Sequence, residues 1–565
     1  MYGKMKTVIC NDIRSDPYLR YILLLCLFVS GFWFWWRAPN FVKVDEFHRI
    51  GQSMKIGRFL LVDPSVDTIE QAAEVGIGKD ASIYLHGLVL LPLFVAVVLM
   101  GELPTLIEVS STSSPIGLWN AVPAWFWTTA LVLTRLLNVL LVVSAVYMVY
   151  RIGTVLADRR AGRIAGLFTS LSLGIIHTAH EVNEDTPALF LLLVVLYLSI
   201  RYVQTENSRY FLIGCGLGGL AIAFKLTAGV AVVFLCAAYL LRAVEKSDPI
   251  GALWQPRLLL SGMILGAVLI YVGIPNLLLR GPEWFIGVRV LGQTAAKAAE
   301  STVPHGYSAL LAYLNGLGLP LLVATIVGLL LSIRRFARTD YNSKDETILL
   351  AGLAAYLLVF VGLWTDFRTH HVLSSIPLLI LPFGITLSRY FDTRTEIAKV
   401  VFSVVLITTA MYAGAGLLKF TDDARDEAAN WIETEGDTEA TIAVFERSPA
   451  KLGLVHGQPT DHYQFGETTD PGDSYTEWLI STPDREPDYI QITTTIPGRN
   501  EYPRRDAFAT RLIDGDHYGY VVAAEFGERS EPRNRQQEIL YAGIEPTIEK
   551  RTNYAIIYAK NESLK

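Results

Sequence analysis

Cysteine is scarce in this chain: four in 565 residues, at Cys10, Cys26, Cys215 and Cys236, all in or before apolar segments and none in the polar C-terminal part. That set builds neither a disulfide framework nor a zinc knuckle. Charge is scarce too. Asp, Glu, Lys and Arg make up 18% of residues against 52% hydrophobic, which excludes a soluble globular chain, because apolar runs of membrane-spanning length have nowhere to hide in water. There is no Gly-rich phosphate loop, no dinucleotide fingerprint and no repeat of fixed period, and no nucleic-acid partner is expected. Lysine is outnumbered by arginine, 15 to 33.

What remains is a polytopic α-helical membrane protein. Lys4, Lys6, Arg14 and Arg20 precede the first apolar run, Tyr18 to Trp36, and no small-residue cleavage site follows it. It reads as a retained anchor that starts in the cytoplasm. Eleven spans are predicted, roughly 18–36, 125–149, 162–180, 187–203, 210–224, 226–241, 258–279, 307–333, 347–364, 372–390 and 398–417. The run Tyr84–Met100 is also long enough to cross. If it does not, the basic clusters Arg159/Arg160/Arg163, Arg201/Arg209, Arg242/Lys246/Arg257, Arg334/Arg335/Arg338 and Arg389/Arg394/Lys399 all share the side of the basic N-terminus. The stretch 84–100 is therefore expected to lie in the interface or to re-enter, inside one external loop from 37 to 124. The same charge rule splits Tyr210–Arg242 into two short helices meeting at an external turn near Lys225.

This arrangement divides the chain into a membrane domain, 1–417, and an external domain, 418–565. The external part is acidic: from Leu418 onward 28 Asp and Glu face 16 Lys and Arg, so the remainder carries a net +6 against −6 for the whole. Such an exterior fits a protein working in high salt, with a haloarchaeal source, or an ordinary acidic surface. A helical pattern at Asp422–Thr434 and β-rich runs at Thr441–Phe445, Tyr489–Ile496, Val521–Phe526 and Tyr554–Tyr558 predict a small α/β domain.

Just beyond the first run stands Val44-Asp45-Glu46-Phe47-His48-Arg49. An adjacent Asp-Glu pair is too costly to desolvate inside lipid, so it belongs at the surface or in a wet cavity. Read alone it is an ordinary polar loop. The other outer loops alter that reading by supplying His177, His180, Glu181, Asn183, Glu184 and Asp185, then Lys225, then Arg280, Glu283 and Arg289, then Asp366, Arg368, His370 and His371. Gathered on one side, at the depth of a lipid phosphate, they predict one binding site more economically than five unrelated loops.

The order of several short motifs resembles the GT-C glycosyltransferases, in the branch of the protein O-mannosyltransferases and the aminoarabinose transferase of lipid A. The matching residues are Asp45-Glu46 with Met54 and Gly57; Asp185-Thr186-Pro187; Gly218-Gly219-Leu220-Ala221-Ile222-Ala223-Phe224-Lys225; and Arg368 with His371 and Pro377-Leu378-Leu379. They run in the family's order over about residues 18–417. The chain departs from the family where a Pro-Pro-Leu is replaced by Leu85-His86-Gly87-Leu88, and where the basic residue three places after the Asp is His48. The Trp-Trp-Asp motif of oligosaccharyltransferases is absent, so en bloc transfer of an oligosaccharide is not expected.

The resemblance implies transfer of one hexose, mannose by first choice, from a polyprenyl or dolichyl phosphate carrier to a hydroxyl of a glycan, glycoprotein or glycolipid, with inversion, at the outer face of the cell membrane. An inverting transfer needs a carboxylate to take the acceptor's proton; Asp45 is the expected base, with Glu46 and Asp185 next. The leaving phosphate needs cations, for which Lys225, Arg280, Arg289 and Arg368 are candidates, against snorkelling or head-group contact as the plainer reading. His177, His180, Glu181 and Glu184 recur at i, i+3, i+4 and i+7, a spacing that suits either hydrogen bonding between helices or a divalent ion such as Mg or Mn; no cofactor is required by the sequence. A transporter or flippase would carry its charges near the midplane on broken helices in two matching halves, and the sequence has neither. A non-catalytic scaffold would not need outer acids and bases in five loops.

Overall fold

The computed structural model describes residues 2–62, 65, 80–102, 115–244, 246–292, 306–337, 345–362, 367–446, 448–462, 481–482, 485–494, 519–528, 534–547 and 554–560. Eight helices among them are long and apolar enough to cross a membrane, and two shorter apolar helices accompany them, in a multi-pass membrane protein. A helical amphipathic cap, α1 (Tyr2–Ser15), leads into α2 (Pro17–Gly31), which starts sharply because the Asp16 carboxylate accepts from the Tyr18 and Leu19 amides and Pro17 needs no partner at the first position. Next come α3 (Val44–Val62), α4 (Ser82–Met100) and α5 (Ala124–Leu156), the last 33 residues long.

The predicted span 162–180 is broken. It forms α6 (Arg159–Ser170) and α7 (Leu173–Ala179), joined at Leu171-Ser172, where the Ser172 hydroxyl donates to the Gly316 carbonyl at 2.9 Å. Then follow α8 (Asp185–Thr205), α9 (Ser208–Phe224) and α10 (Val230–Val244). Between α9 and α10 the backbone at Lys225 is extended (φ −148°, ψ 127°), so the chain turns where the charge argument put it. Helices α11 (Pro256–Gly273) and α12 (Pro275–Trp284) come next. The expected single span 307–333 is instead α13 (Tyr307–Leu317) and α14 (Leu319–Phe336). Gly318 separates them at φ +72°, a left-handed conformation, with Pro320 starting the second helix, and a Cβ there would meet the Tyr412 ring at 3.0 Å. The bundle closes with α15 (Asp345–Tyr356), the short α16 (Thr369–Val372), α17 (Ile376–Thr393) and α18 (Thr395–Lys419).

Helix α4 is long and apolar enough to cross. Two contacts tie it to neighbouring helices. The Ala81 amide before its first turn donates to the Ala223 carbonyl at the end of α9, and farther along Phe94 meets Phe126 in the first turn of α5, ring centroids 6.0 Å apart.

The C-terminal part is α19 (Ala424–Thr434), α20 (Arg535–Ile544) and a five-stranded sheet: β1 (Ile442–Val444), β2 (Thr460–His462), β3 (Tyr489–Thr494), β4 (Tyr520–Gly527) and β5 (Tyr554–Lys560). The strand order is β2-β1-β3-β5-β4, with β1 parallel to both its neighbours and β5 antiparallel to both of its own. Thr495 and Ile496 of the predicted run at Tyr489–Ile496 lie outside the described residues; β2 and α20 had no clear sequence signal. The sheet domain docks on the loop after α2. Arg37 pairs with Asp426 at 2.6 Å, the Trp36 indole donates to Asp426 at 3.1 Å, and His456 Nε2 lies 2.9 Å from the carbonyls of both Trp119 and Val122. One apolar cluster runs through this contact, joining Phe41, Trp119 and Trp127 to Ile442, Val444 and Leu452.

Candidate active site

Asp45 and Glu46 open α3, and neighbours on a helix point in different directions. Glu46 points in. It is fully buried, and Arg135 of α5, equally buried, grips it in a bidentate pair, Nε to Oε1 and Nη2 to Oε2 both at 2.8 Å. Each Glu46 oxygen also accepts a backbone amide, from Val182 at 3.0 Å and Val42 at 2.7 Å, while Arg135 Nη1 donates to the Trp36 carbonyl at 2.7 Å. The expectation of Glu46 as a reserve base is thereby corrected: both its oxygens are occupied, and its role is to tie the first loop, α5 and the turn before α8 together.

Asp45 points out and is exposed. One turn on, Arg49 donates to Asp80 at 2.5 Å, to the Ser82 hydroxyl at 2.8 Å and to Glu184 at 2.7 Å. Glu184 also meets Lys225 Nζ at 3.0 Å, and Lys225 reaches Asp185 at 3.1 Å. Asp80, Arg49, Glu184, Lys225 and Asp185 thus form one continuous chain of ion pairs across α3, α4, the start of α8 and the α9–α10 turn. Burial alone would raise the Glu184 carboxyl, but Arg49 and Lys225 outweigh it and hold it well below the usual carboxylate range. Burial likewise opposes the Arg49 charge, and Asp80 and Glu184, with Asp45 adding a smaller share, more than restore it.

Of the other cations, Arg280 stacks on Trp284 within α12, 5.4 Å from the ring centroid, rather than joining this chain. The Arg289 side chain and Asp366 lie outside the described residues. Arg368 caps α16, where its amide donates to His371 Nδ1 at 3.2 Å; the His371 carbonyl accepts from the Tyr356 hydroxyl, and Tyr356 lies within electrostatic reach of Asp185.

The four-ligand face is not formed. Helix α7 stops at Ala179, so the i, i+3, i+4, i+7 register is lost before it reaches Glu184. His177 Nδ1 lies 3.3 Å from Glu181, which also pairs with Lys43; His180 packs on Phe420, ring centroids 4.7 Å apart; Glu184 turns the other way, to Arg49 and Lys225. Among the described residues no group of three or more His, Cys, Asp or Glu side chains is placed to hold a metal ion.

Arg135, Lys43, Asp80 and His86 also belong to this region, and none was among the residues expected from the sequence. Arg135 lies within an apolar run, where an intramembrane arginine is itself a signal. His86 had a signal too, at the point where the chain departs from the family. It is fully buried one turn after Ser82, within reach of the charges on Arg49 and Glu184, and neither ring nitrogen has a hydrogen-bond partner among the described residues.

The family model of dolichyl-phosphate-mannose-protein mannosyltransferases matches residues 124–272, the stretch that carries Arg135, Glu184, Asp185 and Lys225. No protein of curated function matches the sequence. Among solved structures the chain is similar to the apo form of ArnT from Cupriavidus metallidurans, with 13% identity, 99% of this chain and 98% of that one covered, and a TM-score of 0.49. It is similar as well to the apo oligosaccharyltransferase of Archaeoglobus fulgidus, with 10% identity, coverage of 97% and 89%, and a TM-score of 0.48. ArnT bound to undecaprenyl phosphate gives 15% identity, coverage of 80% and 88%, and a TM-score of 0.44. Likenesses of this size transfer no residue role to this chain; the family match supports a membrane glycosyltransferase.

Proposed function

We propose that the chain transfers a single hexose from a polyprenyl phosphate to an acceptor hydroxyl, with Asp45 as the general base. The observation that carries this reading is the ion-pair chain ending in Lys225 and Asp185 beside an exposed carboxylate, Asp45, on the same helix as Arg49. The acceptor oxygen attacks the anomeric carbon as its proton passes to Asp45. The bond from that carbon to the carrier oxygen breaks with its electron pair, leaving a lipid phosphate whose added charge Lys225 and Arg368 neutralise. Lys225 has three N–H donors, and its two carboxylate partners leave one for a phosphate oxygen. Mannose on dolichyl phosphate is the donor the family match favours, and a glycan, protein or lipid hydroxyl is the acceptor. In the plasma membrane the N-terminus then lies in the cytoplasm, and the site and the sheet domain outside.

Asp45→Asn tests the reading. Turnover should fall about 10²–10⁴-fold, the range for a general base, while carrier affinity stays near that of the unaltered protein. Loss of carrier binding in Asp45→Asn with the remaining turnover unchanged would move the base elsewhere, with Asp185 the next carboxylate. Glycan mass spectrometry on a strain lacking the gene identifies the missing sugar and its acceptor.

A further inference from the structure

The end of the bundle away from the ion-pair chain holds a cleft of about 540 Å³, a size typical of ligand sites, between the starts of α2 and α6 and the junction of α17 with α18. Its floor is apolar, made by Ile22, Leu25, Ile164, Leu167 and Phe402, and its rim carries Arg160 and Arg163, one helical turn apart on α6. Both guanidinium groups are positioned by other groups and only partly used. Arg163 directs Nε at both Asp16 oxygens, 3.1 and 2.9 Å, and lies 4.8 Å over the Tyr18 ring. Arg160 directs Nη1 at Asp392, 2.7 Å, and lies 5.6 Å over the Phe391 ring. A guanidinium has five N–H donors. Among the described residues Nη1 and Nη2 of Arg163, and Nε and Nη2 of Arg160, have no acceptor.

We infer that this cleft binds one anionic phospholipid of the leaflet opposite the proposed site, its phosphodiester on Arg160 and Arg163 and an acyl chain along the apolar floor. Two arguments fix the occupant. Charge complementarity favours an anion: the donors left over belong to two guanidinium groups, whose carboxylate partners Asp16 and Asp392 each occupy only one nitrogen, and the exposed Arg159 precedes Arg160 on α6. The floor requires a hydrocarbon chain, which a free phosphate lacks. Tyr18 and Tyr21, 62% and 70% exposed at the mouth, match the aromatic residues that sit at the level of lipid head groups. Such a lipid would bridge α2, α6 and α18 at their ends.

The full chain, purified in detergent, is mixed with phosphatidylglycerol or phosphatidylcholine and read by native mass spectrometry and by its thermal midpoint. One phosphatidylglycerol should be retained in preference to phosphatidylcholine by about tenfold, the effect of a charged hydrogen bond, and should raise the midpoint, whereas inorganic phosphate should not. Arg160→Gln with Arg163→Gln should abolish the preference. Thr395→Trp, which fills the mouth and leaves both ion pairs in place, should abolish retention, and it decides the matter should the double variant not fold. Equal retention of the two lipids by the unaltered chain, retention that survives Thr395→Trp, or a midpoint shift with inorganic phosphate as large as with the lipid would each overturn the proposal.

Discussion

Around Arg135 and around Lys225 the same kinds of side chain are assembled in two ways. The Arg135 region is closed: one arginine, one carboxylate, both fully buried, every Glu46 oxygen occupied and the remaining Arg135 donors turned to loop carbonyls. The Lys225 region is shared: each cation touches at least two carboxylates, three acids face two bases, and Arg49, Glu184 and Lys225 keep some contact with solvent. A closed pair gives up charge for geometry, because breaking it strands a buried ion; in the shared chain Glu184, held by two cations, keeps one of them when the other turns to a ligand. Asp45 and Glu46, adjacent in sequence, stand one on each side of that difference.

The largest effect should come from opening the closed pair. Arg135→Met leaves the Glu46 carboxylate buried with only backbone amides around it, and should lower stability by about 3–5 kcal/mol, read as a fall in the thermal midpoint or as loss of folded protein. Adding Glu46→Leu to it removes the stranded charge and should recover part of that loss. Recovery should stop short of full, since the Val42 and Val182 amides then lack an acceptor. A single Arg135→Met as stable as the unaltered chain would show that this region is no more closed than the other.

How much of this was legible in sequence depended on whether the signal was local. The Asp-Glu pair stood out because two acids follow an apolar run, and the turn at Lys225 because 33 residues with arginines at the far end fit only two short helices. Which acid turns inward was not legible, since it is decided by Arg135, 89 positions away in sequence. The false metal face has a similar origin: the spacing of His177, His180, Glu181 and Glu184 holds only on a continuous helix, and α7 ends at Ala179. The break at Gly318 did have a local mark, Gly318-Leu319-Pro320, overridden by the length of the apolar run.

A smaller effect separates the regions by function. Lys225→Ala should weaken carrier binding by about 1.5–3 kcal/mol, the range for a charged hydrogen bond, with a smaller loss of stability than Arg135→Met, because Glu184 keeps Arg49 at 2.7 Å. Lys225→Arg should restore the charge but only part of the affinity, its planar fork being wider than an ammonium. Carrier binding measured directly, by titration of a fluorescent polyprenyl phosphate, distinguishes this from a defect in turnover; unchanged affinity in Lys225→Ala would remove the lysine from the carrier site.

The smallest effect is a pH dependence. Glu184 is held well below the ordinary carboxylate range by Arg49 and Lys225, against the opposing effect of burial. A carboxyl depressed in the folded state binds a proton more readily once unfolded, so its stabilisation is fully present above the unfolded value of about 4.3 and is lost as pH falls through the folded one, by about 1.4 kcal/mol for each unit of depression. Arg49 stays charged throughout that window and takes no part in the slope. Thermal midpoints measured from pH 7 down to about pH 3 should therefore decline below about pH 4.5, and Glu184→Gln should flatten that decline while lowering the midpoint at pH 7. The acids of the sheet domain decline alongside in both proteins, so the quantity to read is the difference between the two curves. Curves that stay parallel to the lowest pH would mean that Glu184 gains no more from its two cations than an ordinary surface acid, and that the Lys225 region is held together by its backbone rather than by shared charge.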